Sequence, residues 1–177
     1  MLNIIKLCEA AEQGDAKAQF NLGLCYAKGD GVARDYGEAA YWWHQAASQG
    51  LAEAQNQLGI CYDDGKGVEQ SYQQAAYWYR KAAKQGNAKA QYNLGSCYAE
   101  GEGVEQDYKQ AVQWCLKAAE QGDAKAQHQL GFCYDNGYGV EQDYEQAVEW
   151  YRKAEEQGYD DEQYDLVDCY YLGEGVE

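Results

Sequence analysis

Cysteine is the residue type in this sequence with the widest range of possible chemistry, because thiols bind metals, form disulfides and act as nucleophiles. The chain has seven cysteines, and five of them recur at intervals of 36 residues. The recurring set is Cys25, Cys61, Cys97, Cys133 and Cys169. No pair has the C-x-x-C spacing of a metal or redox motif, and His44 and His128 are not spaced as metal ligands. We therefore predict no metal and no other cofactor.

The recurring cysteines also do not fit a disulfide framework. If the interval marks stacked helical repeats, equivalent positions lie about 10 Å apart, beyond the disulfide limit of about 7 Å between Cα atoms. We expect small, buried, reduced thiols. Reduced thiols favour a reducing compartment such as the cytoplasm. Export is the alternative, if a signal peptide has been removed.

Three other patterns resemble catalytic or ligand-binding motifs without completing them. The loop Gly29-x-Gly31 lacks the rest of a G-x-G-x-x-G or P-loop motif. Asp63-Asp64-Gly65 and Asp135-Asn136-Gly137 lack the EF-hand spacing, and turn formation explains them. No serine lies in an S-x-x-K motif. The serines are Ser48, Ser71 and Ser96. We predict that the protein is not an enzyme.

The 36-residue interval extends to many other positions and predicts a repeat of two helices. In the third copy, Ala90, Leu94 and Cys97 share one helical face, which predicts a first helix, helix A, from about Asn87 to Glu100. Asn87 is a suitable N-cap. The glycine that follows can adopt the left-handed conformation that ends a helix.

The second helix, helix B, is predicted to begin at a capping box, in which the N-cap and a residue three positions later bond each other's backbone N–H. The boxes start at Asp35, Ser71, Asp107 and Asp143. We expect the recurring tryptophans of helix B, including Trp114, to lie in the core. Helix A carries mid-helix glycines, which predict a close helix crossing because glycine is otherwise unfavourable there. These are Gly23, Gly59, Gly95 and Gly131.

The repeated run A-x-A-Q-x-x-L-G-x-x-Y-x-x-G-x-G-V-x-x-D-Y-x-x-A-x-x-W, complete between Ala16 and Ala47, resembles the Sel-one-like repeat (SLR) family, relatives of the tetratricopeptide repeat. The resemblance covers nearly the whole chain. It implies an all-α fold, a right-handed α-α superhelix (solenoid) of helix-turn-helix repeats, and a role in scaffolding protein complexes. The cysteine-rich branch of the family carries paired cysteines that bridge helices; this chain lacks the second cysteine of each pair, with Cys115 as the one candidate.

The interval defines a single repeat array over residues 1–177. The predicted segments are an N-terminal half-repeat at 1–13, full repeats at 14–49, 50–85, 86–121 and 122–157, and a C-terminal half-repeat at 158–177. Polar substitutions in both half-repeats fit capping helices. Truncation of a longer array is the alternative, and the half-repeats are candidate surfaces for end-to-end self-association.

The formal net charge of −16 limits the classes of partner. Such a charge repels phosphate backbones and anionic lipid, so we predict no binding to nucleic acid or membranes. No apolar run approaches the roughly 18 residues needed to span a bilayer. The charge is explained either by solubility or by preference for a basic partner.

The tetratricopeptide pattern places a binding groove on the concave face of helix A, at fixed positions around its leucine. The candidate partner-binding residues are Phe20, Leu24, Asn56, Ile60, Asp63, Asp64, Tyr92, Ser96, His128, Phe132, Asp135, Tyr164 and Asp168. The set mixes acids with the aromatic residues that often anchor protein interfaces. We predict a non-enzymatic scaffold that binds a peptide or protein on this face. The alternative is a structural or designed consensus array without a ligand.

Overall fold

The computed structural model describes residues 4–159, which form nine helices and no strand. The helices are α1 Ile4–Glu12, α2 Ala16–Lys28, α3 Tyr36–Ser48, α4 Ala52–Asp64, α5 Tyr72–Lys84, α6 Ala88–Glu100, α7 Tyr108–Glu120, α8 Ala124–Asn136 and α9 Tyr144–Glu155. Even-numbered helices are helix A of each repeat and odd-numbered ones are helix B. The predicted first helix of the third repeat is confirmed, with Asn87 accepting a hydrogen bond from the backbone N–H of Ala90 at 2.9 Å.

The described chain forms two compact units. The N-terminal unit comprises residues 4–90 and 102–104, and the C-terminal unit comprises residues 91–101 and 105–159. In each unit the core contains alanines that let helices approach, one leucine from each helix A, and buried aromatic and cysteine side chains. Leu58 in the N-terminal unit and Leu130 in the C-terminal unit are almost completely buried.

The mid-helix glycines lie where helix A crosses helix B of the same repeat, which confirms the prediction of a close crossing. A Cβ atom added to Gly59 would lie 2.5 Å from the ring of Tyr79, and one added to Gly131 would lie 2.6 Å from the ring of Tyr151. Gly23 faces Trp43, and Gly95 faces the sulfur of Cys115, in the same way. Any larger residue would separate the helices.

The structure corrects the predicted role of Trp114. Trp114 is only half-buried, and the Lys117 ammonium lies 4.3 Å from the centre of its ring. The next residue, Cys115, is buried in the core. One residue along a helix turns the side chain by about 100°, so only the second of these two positions faces the glycine of helix A. In the four repeats this second position is occupied by Trp43, Tyr79, Cys115 and Tyr151.

Half of each predicted capping box is formed. The Asp143 carboxylate accepts a hydrogen bond from the backbone N–H of Gln146 at 3.0 Å. The backbone N–H of Asp143, however, donates to the carbonyl of Tyr134 near the end of α8, at 2.9 Å. Equivalent loop-closing bonds run from Asp35 to Tyr26, from Ser71 to Tyr62 and from Asp107 to Tyr98. In a complete capping box the N–H of the N-cap residue would donate to the side chain three residues later. Here that N–H closes the loop between the two helices instead.

A buried glutamine in helix A connects three successive helices, a contact that the sequence analysis did not anticipate. The amide of Gln55 donates to the carbonyl of Ala47 in α3 at 3.1 Å, and its oxygen accepts from Gln85, which follows α5, at 2.8 Å. Gln127 makes the equivalent bonds with Ala119 and Gln157. Because each glutamine joins one repeat to the next, we call these contacts the glutamine links.

Candidate protein-binding surface

The candidates in the N-terminal unit lie on α2 and α4. Phe20, Leu24 and Ile60 are half-buried, and Phe20 and Leu24 pack against the core of this unit. The carbonyl of Phe20 accepts a hydrogen bond from the indole nitrogen of Trp43 at 3.2 Å. The side chains of Phe20 and Leu24 are therefore held by the core while part of their apolar surface stays in solvent. Asn56 differs, since only 5% of its surface is exposed.

The two acidic candidates of α4 have different surroundings. Asp63 is half-buried and accepts a hydrogen bond from the Tyr79 hydroxyl at 3.1 Å. Burial raises the pKa of Asp63, and the hydrogen bond from Tyr79 opposes this shift. Asp64 is exposed and forms an ion pair with Lys66 at 2.7 Å. An exposed pair of this kind contributes little to stability, so Asp64 can exchange Lys66 for another cation.

The candidates in the C-terminal unit lie on α6 and α8. Tyr92, Ser96, His128, Phe132 and Asp135 are all partly exposed. Burial raises the pKa of the Tyr92 phenol, and a hydrogen bond with Ser96 opposes the shift. The His128 ring lies 5.1 Å from the ring of Tyr151, so it packs as an aromatic side chain. The remaining candidates, Tyr164 and Asp168, lie outside the described residues.

One pocket in the C-terminal unit lies beside two of these candidates. Its volume is about 390 Å³. It is lined by Ser96, Ala99, Glu100, Tyr108, Ala111, Cys115, Gln129, Phe132, Cys133 and Tyr138. The rings of Tyr108 and Tyr138 stack at 5.1 Å, and the ring of Phe132 lies 5.7 Å from that of Tyr138. We call this cavity the Cys115 pocket. The sequence signal that could have found it is Cys115 itself, which stands where the other repeats carry an aromatic residue.

The recurring thiols are placed as packing residues. Cys61 and Cys133 are buried, and Cys25 is half-buried. Burial raises the pKa of Cys61 to about 12 and also raises the pKa of Cys115. A thiol kept protonated at neutral pH is a poor nucleophile and a poor metal ligand. Within residues 4–159, no group of three or more His, Cys, Asp or Glu side chains is placed to hold a metal ion.

Helix B carries exposed aromatic residues that the sequence analysis missed. Tyr41 and Tyr77 are 54% and 47% exposed. Tyr77 packs edge-on against Trp78, and the Lys81 ammonium lies 4.7 Å from the centre of the Tyr77 ring. They could have been found in the sequence, because tyrosine occupies this position of helix B in the first two repeats and in neither of the others.

None of the helices in the described part of the chain is long and apolar enough to cross a lipid bilayer.

A family comparison matches four consecutive segments of the chain to the Sel1 repeat, at residues 16–51, 52–87, 88–123 and 124–159. The chain belongs to the Sel1 repeat family. Sel1 repeat proteins are generally protein-interaction scaffolds and are typically not enzymes. The predicted family and the predicted all-α repeat fold are both confirmed.

Solved structures of Sel1 repeat proteins resemble this chain closely. A protective antigen of uropathogenic Escherichia coli with an SLR fold is 45% identical with a TM-score of 0.86, over 90% of this chain and 34% of the antigen. A Sel1 repeat protein from Oxalobacter formigenes is 41% identical with a TM-score of 0.87, over 93% of this chain and 66% of that protein. The chain thus spans about a third of the first protein and about two thirds of the second. No curated protein sequence matches the chain.

Proposed function

We propose that this Sel1 repeat chain is a non-enzymatic scaffold that binds a peptide or protein segment across the exposed side chains of its A helices. The observation that carries the proposal is the recurrence of half-buried apolar residues at equivalent helix A positions. In the N-terminal unit these are Phe20, Leu24 and Ile60, and in the C-terminal unit Tyr92 and Phe132.

The packing of these side chains supports a role in binding. A residue already held by the core loses little rotational freedom when a partner covers its exposed part, so more of the contact energy is available for affinity. Phe20 is held by the core of the N-terminal unit, and Phe132 packs beside Tyr138. Aromatic residues in such positions carry much of the energy of many interfaces.

The charge of the chain supports a basic partner. The net charge is −16, and Asp63, Asp64 and Asp135 lie among the apolar candidates. Acidic side chains at the rim of an interface accelerate association with a cationic partner and make it dependent on salt.

A peptide-array screen at low and high salt tests the proposal. We expect retained peptides to combine basic with aromatic or aliphatic residues and to weaken as salt increases. Tyr92→Ala and Phe132→Ala should each weaken such binding by at least about 1 kcal/mol. Tyr41→Ala, which removes an exposed ring from α3, is the matched control and should bind normally.

The alternative is a structural array without a ligand, which the unbroken 36-residue spacing favours. If no peptide is retained in the screen at either salt concentration, the result supports this alternative. Retained peptides that bind the Tyr92 and Phe132 variants as tightly as the parent would place the site elsewhere.

A further inference from the structure

The Cys115 pocket lies where the third repeat departs from the other three. In the first, second and fourth repeats the helix B position above the glycine of helix A carries an aromatic ring: Trp43, Tyr79 and Tyr151. In the third repeat it carries Cys115, whose sulfur packs against Gly95. The sulfur fills the space next to the glycine but extends much less far than a tyrosine ring.

The partner of that ring is also missing from the third repeat. In the second repeat the Tyr79 hydroxyl reaches along α4 to Asp63. The residue equivalent to Asp63 in the third repeat is Ala99, which lines the Cys115 pocket. Because a ring and a carboxylate are replaced together by a thiol and a methyl group, the third repeat has room where the second has a hydrogen-bonded pair.

The walls of the pocket suit a flat aromatic group. Tyr108, Phe132 and Tyr138 supply rings, and Ala99 and Ala111 leave space between them. The cavity volume of about 390 Å³ is within the range of about 300–1,000 Å³ typical of ligand pockets. Aromatic rings pack favourably edge-to-face or offset against other rings.

The polar part of the wall favours a cation beside that ring. Glu100 contributes a carboxylate, Ser96 a hydroxyl and Gln129 an amide. Glu100 belongs to an exposed helix end in a chain whose net charge is −16, and a net negative charge favours the approach of cationic groups.

We propose that the Cys115 pocket receives an aromatic side chain of a partner protein, with a basic residue next to that side chain in the partner. That the occupant belongs to a protein rests on the proposed scaffold function. The proposal goes further by assigning the anchor to one repeat and by naming its chemistry.

The test uses three short probes on the isotope-labelled full chain: acetyl-Lys-Trp-Lys-amide, acetyl-Glu-Trp-Glu-amide and acetyl-Lys-Ala-Lys-amide. NMR titration should show saturable shifts of the backbone amides of residues 96–100 and 132–138 with the first probe. We expect the other two to bind at least about tenfold more weakly, since each lacks one of the two recognised groups. Equal binding of all three, or shifts confined to other residues, would overturn the proposal.

Variants separate filling of the pocket from general damage to the fold. Cys115→Tyr gives the third repeat the residue of the second and fourth, and Ser96→Ile gives it the residue that the second carries at Ile60. Each should weaken the Lys-Trp-Lys probe at least about tenfold while helical circular dichroism is retained. Gln113→Tyr, which adds an exposed tyrosine at the position of Tyr41 and Tyr77, should bind like the parent.

The two proposals fail in different ways. If Cys115→Tyr and Ser96→Ile are folded and bind the probe as tightly as the parent, the pocket is not the anchor site. Peptides from the array screen that are still retained by Cys115→Tyr, but lost with Tyr92→Ala, would leave the scaffold function standing and refute the pocket alone.

Discussion

At the scale of single residues, the contacts of the mid-helix glycines explain why this chain keeps glycine where alanine would favour the helix. A glycine inside a helix costs about 1 kcal/mol relative to alanine. At Gly59 this cost is offset because the ring of Tyr79 occupies the space that a Cβ atom would need. The same reasoning applies at Gly131 with Tyr151.

Gly59→Ala should therefore destabilise the protein, by about 1–3 kcal/mol, because the added methyl group forces α4 away from α5. The matched control is Gly37→Ala, a helical glycine in the exposed first turn of α3. Other repeats carry Gln73 and Lys109 at that position. We expect the control to be neutral or to stabilise by about 0.4–1 kcal/mol. Urea denaturation measures both, and a Gly59→Ala variant more stable than the parent would contradict the crossing geometry.

The buried thiols predict a loss of stability in alkali. The pKa of Cys61 rises from 9.0 to about 12 on folding. The group's contribution is present below pH 9 and is lost as pH rises towards 12, because only the unfolded chain then ionises. We expect the stability advantage of the parent over Cys61→Ala to shrink between about pH 8 and about pH 10.5. A pH-independent difference would show that the thiol ionises equally in both states.

Sequence reasoning predicted the glycine crossing but assigned the wrong residue of helix B to the core of the third repeat. In the first repeat both neighbours, Trp42 and Trp43, are aromatic, so composition cannot distinguish them. In the third repeat the larger aromatic candidate, Trp114, stays partly exposed, and the smaller Cys115 faces the glycine. Only the angular position relative to helix A decides between them, and that requires the crossing geometry.

At the scale of helices, the glutamine links hold neighbouring repeats together within each unit. Gln55 is 4% exposed and bonds to one helix on each side of α4. The hydrophobic periodicity used to predict helices does not detect such a residue, because a polar side chain on the apolar face breaks the pattern. Its recurrence in A-x-A-Q is visible in the sequence, but its partners are not.

Gln55→Met tests the contribution of one link with a side chain of similar length and flexibility. The variant removes the bonds of Gln55 with the Ala47 carbonyl and with Gln85, each worth about 0.5–1.5 kcal/mol, while the Ala47 carbonyl keeps its bond from the backbone N–H of Gly50. We therefore expect a destabilisation of about 1–3 kcal/mol. The control is Gln73→Met on the exposed surface of α5, which should change stability by less than about 0.5 kcal/mol. Equal midpoints in urea for Gln55→Met and the parent would mean that the link contributes packing alone.

At the scale of the whole molecule, the acidic composition has an energetic cost. A net charge of −16 on a folded chain produces self-repulsion that the unfolded chain relieves by expanding. The partner class was inferred from this charge and from the exposure of helix A residues. The position of the binding site also depends on the surface of the partner, which no pattern in this chain encodes. The structure does show which predicted candidates a partner could contact, because Asn56 is buried whereas Phe20 and Phe132 are partly exposed.

Raising NaCl from about 10 mM to about 500 mM at neutral pH should therefore stabilise the protein against urea, because salt screens repulsion between exposed charges. The double variant Glu105→Lys with Glu141→Lys changes two exposed residues and raises the net charge by two at each position. It should show a smaller salt effect. A midpoint independent of salt in the parent would mean that local pairs such as Lys66 with Asp64 dominate.

The loop-closing bond from the N-cap of helix B to the tyrosine carbonyl of helix A has a consequence for how such chains can change length over evolutionary time. The bond joins residues nine positions apart in each repeat, as from Asp35 to Tyr26 and from Asp143 to Tyr134. Inserting one residue into the loop would break the bond and change the register between the glycine of helix A before the loop and its packing partner in helix B after the loop. Duplicating a whole 36-residue segment would instead reproduce every bond, so the tolerated step in length is an entire repeat.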